Sequence, residues 1–442
     1  MSRLQNHVKG LLVLLCGIFL LGALGTSHAN QVRLDAALNH PLVLADGSQK
    51  AYIRIGLTGF PLDTDNERAP VNVAIVIDQS SSMSGDKIAR AREAAIMTMR
   101  KLNSRDIVSV ITYSSTVNVL VPATKVSDKD QIERKIRAIQ ATGSTALFAG
   151  VSKGAEEVRK FLSKERVNRI VLISDGLANV GPSSPADLAE LGDQLIREEI
   201  SVTTIGLGLG YNEDLMSQLA FKSDGNHYFA EHAKTLAEIF DKEFGKAMSV
   251  VAQNVTTTIR LFPGVRPVRV LGREGVIDGQ EAQVKIKELY SESEKSIVLE
   301  LEMPSGENDA HLDVASIKVS YDNMKSNNKD VLTSTIRARY TDSLELVAKN
   351  ENAEVMEDVV MLLATETNIL AMQLRDQGKQ EEAKQLLISN RDYLQYNASK
   401  YDSDELKEFG ATNEVQSQNL DDYNYNRTRK AMQEEQVWRV KQ

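Results

Sequence analysis

Hydrophobic and polar positions change their spacing several times along the chain, and each change predicts a different architecture. Between residues 31 and 58 the pattern is that of strands: "QVRLDA", then "HPLVLADG" with a turn at Asp46 and Gly47, then "KAYIRIGLTG", in which Ile53, Ile55 and Leu57 alternate with polar neighbours. The Pro/Asp/Asn-rich stretch "GFPLDTDNERAP" reads as a surface connection into a new unit.

From 71 to 248, apolar runs alternate with helical patterns. "VNVAIVID", "DIVSVITYSS", "VNRIVLISDG", "ISVTTIGLG" and "GNHYFA" read as strands, and between them lie amphipathic segments, the first placing Ile88, Ala91, Ala95, Met99 and Leu102 on one face. Strands apolar on both faces and separated by helices specify an α/β fold, a doubly wound, mostly parallel sheet covered on both sides. Residues 250–340 return to period two, most clearly in "SIVLELEMP", and the regular spacing of strands and turns predicts a β-sandwich. Either the strands within 30–60 complete that sandwich, with the α/β unit inserted between its halves, or the two β pieces are unrelated. After Tyr340, Asp342 and Glu345 have capping-box spacing, and the stripe of Met356, Val359, Leu363, Leu370 and Leu374, broken at Gly378 and resumed by Ala383, Leu387 and Leu394, predicts a helical hairpin over 342–400. Residues 401–442 are polar and read as a tail with a loosely docked helix.

The first 29 residues carry Arg3 and Lys9, a continuous apolar core and Ser27 and Ala29 at small-residue cleavage positions, the pattern of a signal peptide cut after Ala29, with an uncleaved membrane anchor as the alternative. Cys16, the only cysteine, lies within it, so the remaining chain can form neither a disulfide nor a thiolate metal site. Cleavage would remove two bases and no acid, leaving 61 acids against 50 bases and a net charge of −11. That balance argues against nucleic acid and against adhesion to anionic lipid, and together these features place the protein in the periplasm or outside a bacterial cell.

The candidate chemistry sits at strand ends. In a doubly wound sheet, loops diverge at the carboxyl ends of the strands where the winding reverses, leaving a crevice. The first strand of the α/β unit ends on Asp78 followed by Ser80 and Ser82; "ATGSTAL" sets Thr145 at the head of a helix; "RIVLIS" ends on Asp175. Oxygen ligands without His or Cys select a hard cation, magnesium first and manganese or calcium next. Ser81 and Ser84 read as turn and helix-opening residues.

Asp78, Ser80 and Ser82 fit D-x-S-x-S, with Thr145 and Asp175 following in order, so residues 71–248 resemble a von Willebrand factor type A domain with a complete metal-ion-dependent adhesion site. The resemblance implies that Ser80, Ser82 and Thr145 are direct or near-direct ligands, that Asp78 and Asp175 hold waters and orient the hydroxyls, and that an Asp or Glu of a protein partner completes the coordination. Ser81 in place of a frequent glycine, and "GSTAL" in place of the common glycine-glycine-threonine-asparagine, remove no metal-facing oxygen. More loosely, the layout resembles inter-alpha-trypsin-inhibitor heavy chains and bacterial proteins named for calcium-activated chloride channels. A magnesium-dependent phosphatase of the haloacid-dehalogenase type would need an acid two residues after Asp78, where Ser80 stands. "GLGLG" at 206–210 fails the dinucleotide fingerprint at Tyr211. The expectation is a non-enzymatic, metal-dependent protein-binding or adhesion module, with a metal-independent envelope scaffold as the other non-catalytic reading.

Overall fold

In the computed structural model, which describes residues 31–62 and 68–441, the alternating segments at the start form β1 (Val32–Leu38), β2 (Leu42–Leu44) and β3 (Gln49–Gly59). The α/β unit follows as β4 (Val71–Asp78), α1 (Asp86–Lys101), β5 (Ile107–Tyr113), β6 (Val117–Lys125), α2 (Lys129–Arg137), α3 (Leu147–Arg159), β7 (Val167–Ser174), α4 (Pro185–Arg197), β8 (Ser201–Leu207), α5 (Glu213–Lys222), β9 (His227–Ala230) and α6 (Leu236–Met248). Seven strands come next: β10 (Val250–Leu261), β11 (Arg266–Leu271), β12 (Gly275–Asp278), β13 (Glu281–Tyr290), β14 (Glu294–Met303), β15 (His311–Asn323) and β16 (Lys329–Thr341). The described chain closes with α7 (Leu344–Lys349), α8 (Ala353–Asp376), α9 (Gln380–Tyr401), α10 (Asp404–Gln418) and α11 (Tyr425–Arg439). The leader expected at residues 1–29 lies outside the described residues. Among those described, no helix is long and apolar enough to cross a membrane.

The α/β sheet has the order β6-β5-β4-β7-β8-β9 and is parallel except for β6, which runs antiparallel to β5 at one edge. β4 and β7 are buried at every position, as strands covered on both faces must be. On one face Ile88, Ala91, Ala95 and Met99 of α1 and Phe240 and Phe244 of α6 pack against Val73, Ile75 and Ile77. On the other, Val151 and Ala155 of α3, Leu188 and Leu195 of α4, and Leu215 and Leu219 of α5 pack against Ala74, Val76, Ile170 and Leu172. From β4 the chain winds one way through β5 and β6 and the other way through β7, β8 and β9, so the reversal lies at β4 and its neighbours.

The early strands share sheets with the late ones. One sheet runs β1-β3-β14-β11 and the other β12-β13-β10-β15-β16-β2, with Ile53 opposite Leu299 and Ile55 opposite Ile297 in the β3–β14 register. Ile53, Ile55 and Leu57 meet Ile259, Ile286 and Ile317 in the core between the sheets. The chain leaves the sandwich after Gly59 and returns at Val250, and the turn between β13 and β14 joins the two crossings: Ser291 N donates to Ser249 O at 2.7 Å and Glu292 N to Gly59 O at 3.0 Å. A Cβ on Gly59 would lie 2.2 Å from the Tyr290 carbonyl oxygen, so this approach admits only glycine.

α8 covers the outer face of the first sheet, with Val355, Val359 and Leu362 on Tyr52, Leu271 and Val298. A helix is present in the polar segment after residue 400, as expected, but it is closely rather than loosely docked and a second one precedes it: α10 packs Leu406 and Phe409 against α8 and α9, and α11 packs Met432 against Met372 and Leu387. Their buried faces mix these apolar anchors with polar side chains that pair with complementary ones. Asn368 donates to Asn413 at 2.7 Å and Asn390 to Asn368 at 2.8 Å, while buried Lys430 of α11 donates to Tyr211 O at 3.0 Å and pairs with Glu213. α11 thereby docks on the loop that follows β8.

His227 is buried at the start of β9, between the Thr204 hydroxyl at 2.8 Å and the Tyr211 hydroxyl at 3.3 Å, and burial pulls its pKa down to about 3. The unfolded chain, with an ordinary histidine pKa near 6.5, therefore binds this proton more readily than the folded one, and stability falls as pH drops below about 6.5. Moving from pH 7 to pH 5 should cost about 2 kcal/mol through His227 alone. Urea unfolding of wild type and His227→Gln at both pH values checks this: the variant should lose less stability on acidification, and an identical loss would refute the assignment.

Candidate metal centre

β4 delivers Asp78 to the carboxyl edge of the sheet, and three loops converge there. The first is held by its backbone: Gln79 N donates to Tyr113 O at 2.8 Å, Ser81 N to Gly143 O at 3.0 Å, and Thr142 N to Gln79 O at 2.5 Å. The Met83 side chain is buried and anchors the turn that leads into α1. The second loop carries Thr145, whose N–H donates to Asn179 Oδ1 at 2.9 Å while Asn179 N returns a bond to Thr145 O at 3.1 Å, so the Thr145 and Asp175 loops are tied to each other. The third begins at Asp175, directly after β7.

All five residues singled out from the sequence come to this edge. Ser80 Oγ and Ser82 Oγ are 3.0 Å apart, and Ser82 Oγ donates to Asp175 Oδ1 at 2.7 Å. A Cβ placed on Gly176 would lie 3.2 Å from Thr145 Oγ1 and 3.5 Å from Ser82 Oγ, so the bare glycine keeps open the space that these hydroxyls flank. Ser81 and Ser84 face elsewhere: Ser81 Oγ donates to Gly143 O at 3.1 Å and Ser84 Oγ to Ser81 O at 2.7 Å, which is turn chemistry.

The two carboxylates are already engaged by the protein. Asp78 is buried; its Oδ1 accepts Ser80 N at 2.7 Å and its Oδ2 accepts the Ser174 hydroxyl at 2.6 Å. Burial pushes its pKa up, a rise that the bonds from Ser174 and Ser80 moderate. Asp175 Oδ2 accepts the Lys87 ammonium at 2.5 Å. Beneath Asp78 lies buried Tyr113, its phenol held protonated because burial, with Asp78 nearby, raises its pKa well above the ordinary value. Ser174, Lys87, Asn179 and Tyr113 were not singled out in the sequence. Ser174 and Lys87 each stand close to a residue that was, and their hydroxyl and ammonium were the available signal.

The donor set fits a hard cation. Neighbouring ligands on an octahedral ion with bonds of about 2.1 Å stand about 3.0 Å apart, which is the Ser80–Ser82 oxygen separation. Among the described residues no group of three His, Cys, Asp or Glu side chains is arranged around a common point, so a cation bound here would depend on neutral hydroxyls.

Comparison with known proteins agrees with this geometry. Residues 72–242 match the family model of the von Willebrand factor type A domain. The chain is 24% identical over 281 residues to an uncharacterized protein of Synechocystis, covering 61% of this chain and 66% of that one. It is 26% identical over 216 residues to the uncharacterized protein YfbK of Escherichia coli, covering 48% and 38%, and 32% identical over 170 residues to inter-alpha-trypsin inhibitor heavy chain H3 of Rattus norvegicus, covering 36% and 19%. The aligned stretches thus span less than two thirds of each relative's length. Among solved structures, a von Willebrand factor type A protein from Catenulispora acidiphila superposes with a TM-score of 0.69 at 15% identity, over 84% of this chain and 87% of that one. The ArnB paralog VWA2 from Sulfolobus acidocaldarius superposes with a TM-score of 0.62 at 19% identity, over 92% and 98%, a likeness of fold that takes in sandwich and helices as well. Sheet order, the loops gathered at its carboxyl edge and the family match lead to one conclusion: residues 72–242 of this chain are a von Willebrand factor type A domain.

Proposed function

We propose that the protein is a non-enzymatic, metal-dependent protein-binding module, in which Ser80, Ser82 and Thr145 hold a divalent cation, magnesium or else manganese or calcium, and Asp78 and Asp175 orient its shell. An Asp or Glu of a partner protein completes the coordination. The observation that carries this reading is that each oxygen of Asp78 and Asp175 already accepts a bond from the protein, while the Ser80, Ser82 and Thr145 hydroxyls gather beside them around the space that Gly176 leaves open. A cation held by hydroxyls keeps most of its charge, and a carboxylate from outside is the ligand that charge favours. Burial speaks against a phosphatase: Asp78 is buried with each of its oxygens held by a donor of the protein, a poor position from which to attack phosphorus. We place the module in the periplasm or outside the cell, delivered by the apolar N-terminal segment.

Isothermal titration with Mg2+ and Mn2+ tests the site. Wild type should bind one equivalent, and Asp78→Ala with Ser80→Ala should weaken binding about 100-fold or more. Equal affinity in the two proteins would overturn the assignment. Hydrolysis of a generic phosphate ester that disappears with Asp78→Asn would overturn the non-enzymatic reading.

A further inference from the structure

Lys87 stands at the rim of this site, and the resemblance to the family gave it no role. It is the second residue of α1, and its ammonium reaches back to Asp175 Oδ2 at 2.5 Å; the Lys87 side chain is 37% exposed while that of Asp175 is fully buried. The end of the lysine passes the turn after β8, where a Cβ on Gly208 would lie 3.8 Å from Lys87 Cε and Nζ. Asp175 is the only carboxylate within ion-pair distance of this ammonium among the described residues. The pair is therefore not a surface bridge of two mobile side chains. One partner is fixed in the sheet edge, and the other is held against it from solvent.

Charge counting gives this contact a consequence. Asp78 and Asp175 together would neutralise a divalent cation, and the loaded constellation would then be uncharged. Lys87 adds one fixed positive charge on the far oxygen of Asp175, a few ångströms from the hydroxyl cradle. We infer that Lys87 is a specificity-determining residue that holds the metal-loaded site at a net charge of +1, loosening its grip on the cation and strengthening its capture of an external carboxylate. Fixed charges at this range, partly shielded from solvent, change binding constants by an order of magnitude or more. The inference rests on the proposed metal site and says which way one side chain tunes it.

The sign of the effect separates this role from a structural one. A lysine that merely positions Asp175 would, on removal, loosen the site and weaken cation binding. A lysine that acts by its charge would do the opposite. Mg2+ titrated calorimetrically into Lys87→Met should bind about tenfold or more tighter than into wild type, and Lys87→Arg, which keeps the charge, should stay close to wild type. Acetate titrated into Mn2+-loaded protein, read as loss of metal-bound water by proton relaxation, should bind about tenfold more weakly to Lys87→Met. If wild type binds Mg2+ while Lys87→Met binds it equally or more weakly, the role of Lys87 is overturned and the metal site stands. If wild type binds no Mg2+, the metal site and this inference fall together.

Discussion

Arg169→Met should lower the unfolding free energy by about 3–5 kcal/mol, because it strands two carboxylates in the interior. Arg169 is the third residue of β7, 1% exposed, and its guanidinium pairs with Glu243 of α6 and Glu288 of β13, both equally buried. Burial pushes the Glu243 carboxyl up, but Arg169, with the Thr203 hydroxyl at 2.5 Å and the Asn226 amide at 2.8 Å, more than reverses this and keeps it ionised. Glu288 is less well supplied, with Arg169 and the Tyr290 hydroxyl at 3.3 Å as partners and Oε1 unbonded. Taking away Arg169 leaves Glu288 with the Tyr290 hydroxyl as its hydrogen-bond donor and only the more distant charges of Lys287 and Lys295. Urea unfolding at pH 7 measures the loss, and a variant within about 1 kcal/mol of wild type would refute the argument. Adding Glu243→Gln and Glu288→Gln to Arg169→Met should recover much of the stability, since the expense lies in the unpaired charge more than in the missing pair.

Gly176→Val should abolish measurable cation binding, weakening it about 100-fold or more, while leaving the proposed ligands in the sequence untouched. Gly176 carries no donor. Its Cβ would press on Thr145 Oγ1 at 3.2 Å, and the two branches of valine would enter the space between Thr145 and Ser82. Mg2+ calorimetry and thermal unfolding of the same protein check this together: binding should vanish with a small change in melting temperature. Retained binding would mean that the cation sits elsewhere. A large loss of melting temperature would show that Gly176 serves the fold.

The parallel sheet and its edge were legible in the sequence because β4 and β7 are apolar on both faces and end abruptly on carboxylates. Such strands, separated by amphipathic helices, call for a parallel sheet covered on both faces, and an acid at the end of a buried run needs a reason. β6 escaped notice because it is a half-exposed edge strand containing Pro122, so neither continuous hydrophobicity nor clean alternation marks it. The close docking of α10 and α11 escaped for a different reason. Their buried faces use Asn413, Gln416, Lys430 and Arg439, and a helix that buries polar side chains against complementary ones has no apolar stripe to detect. Arg169 was visible as a charged residue inside an apolar strand, but its partners lie 74 and 119 positions away, and only the folded chain identifies them.

The sandwich, closed by strands from both ends of an inserted domain, also constrains how the chain can be made. β3 pairs with β1 on one side, but its other neighbour is β14, so a chain emerging from N to C terminus carries β3 with one naked edge until residue 303 has been synthesised. Until β10 and β13 emerge, Ile53, Ile55 and Leu57 also lack the opposite sheet that covers them. An apolar strand with an open edge is the feature most prone to pair with a stranger, so the time spent building the type A domain is the window in which this protein is most exposed to misassembly. Early folding of that domain narrows the window by holding its two ends close, ready for the returning strand.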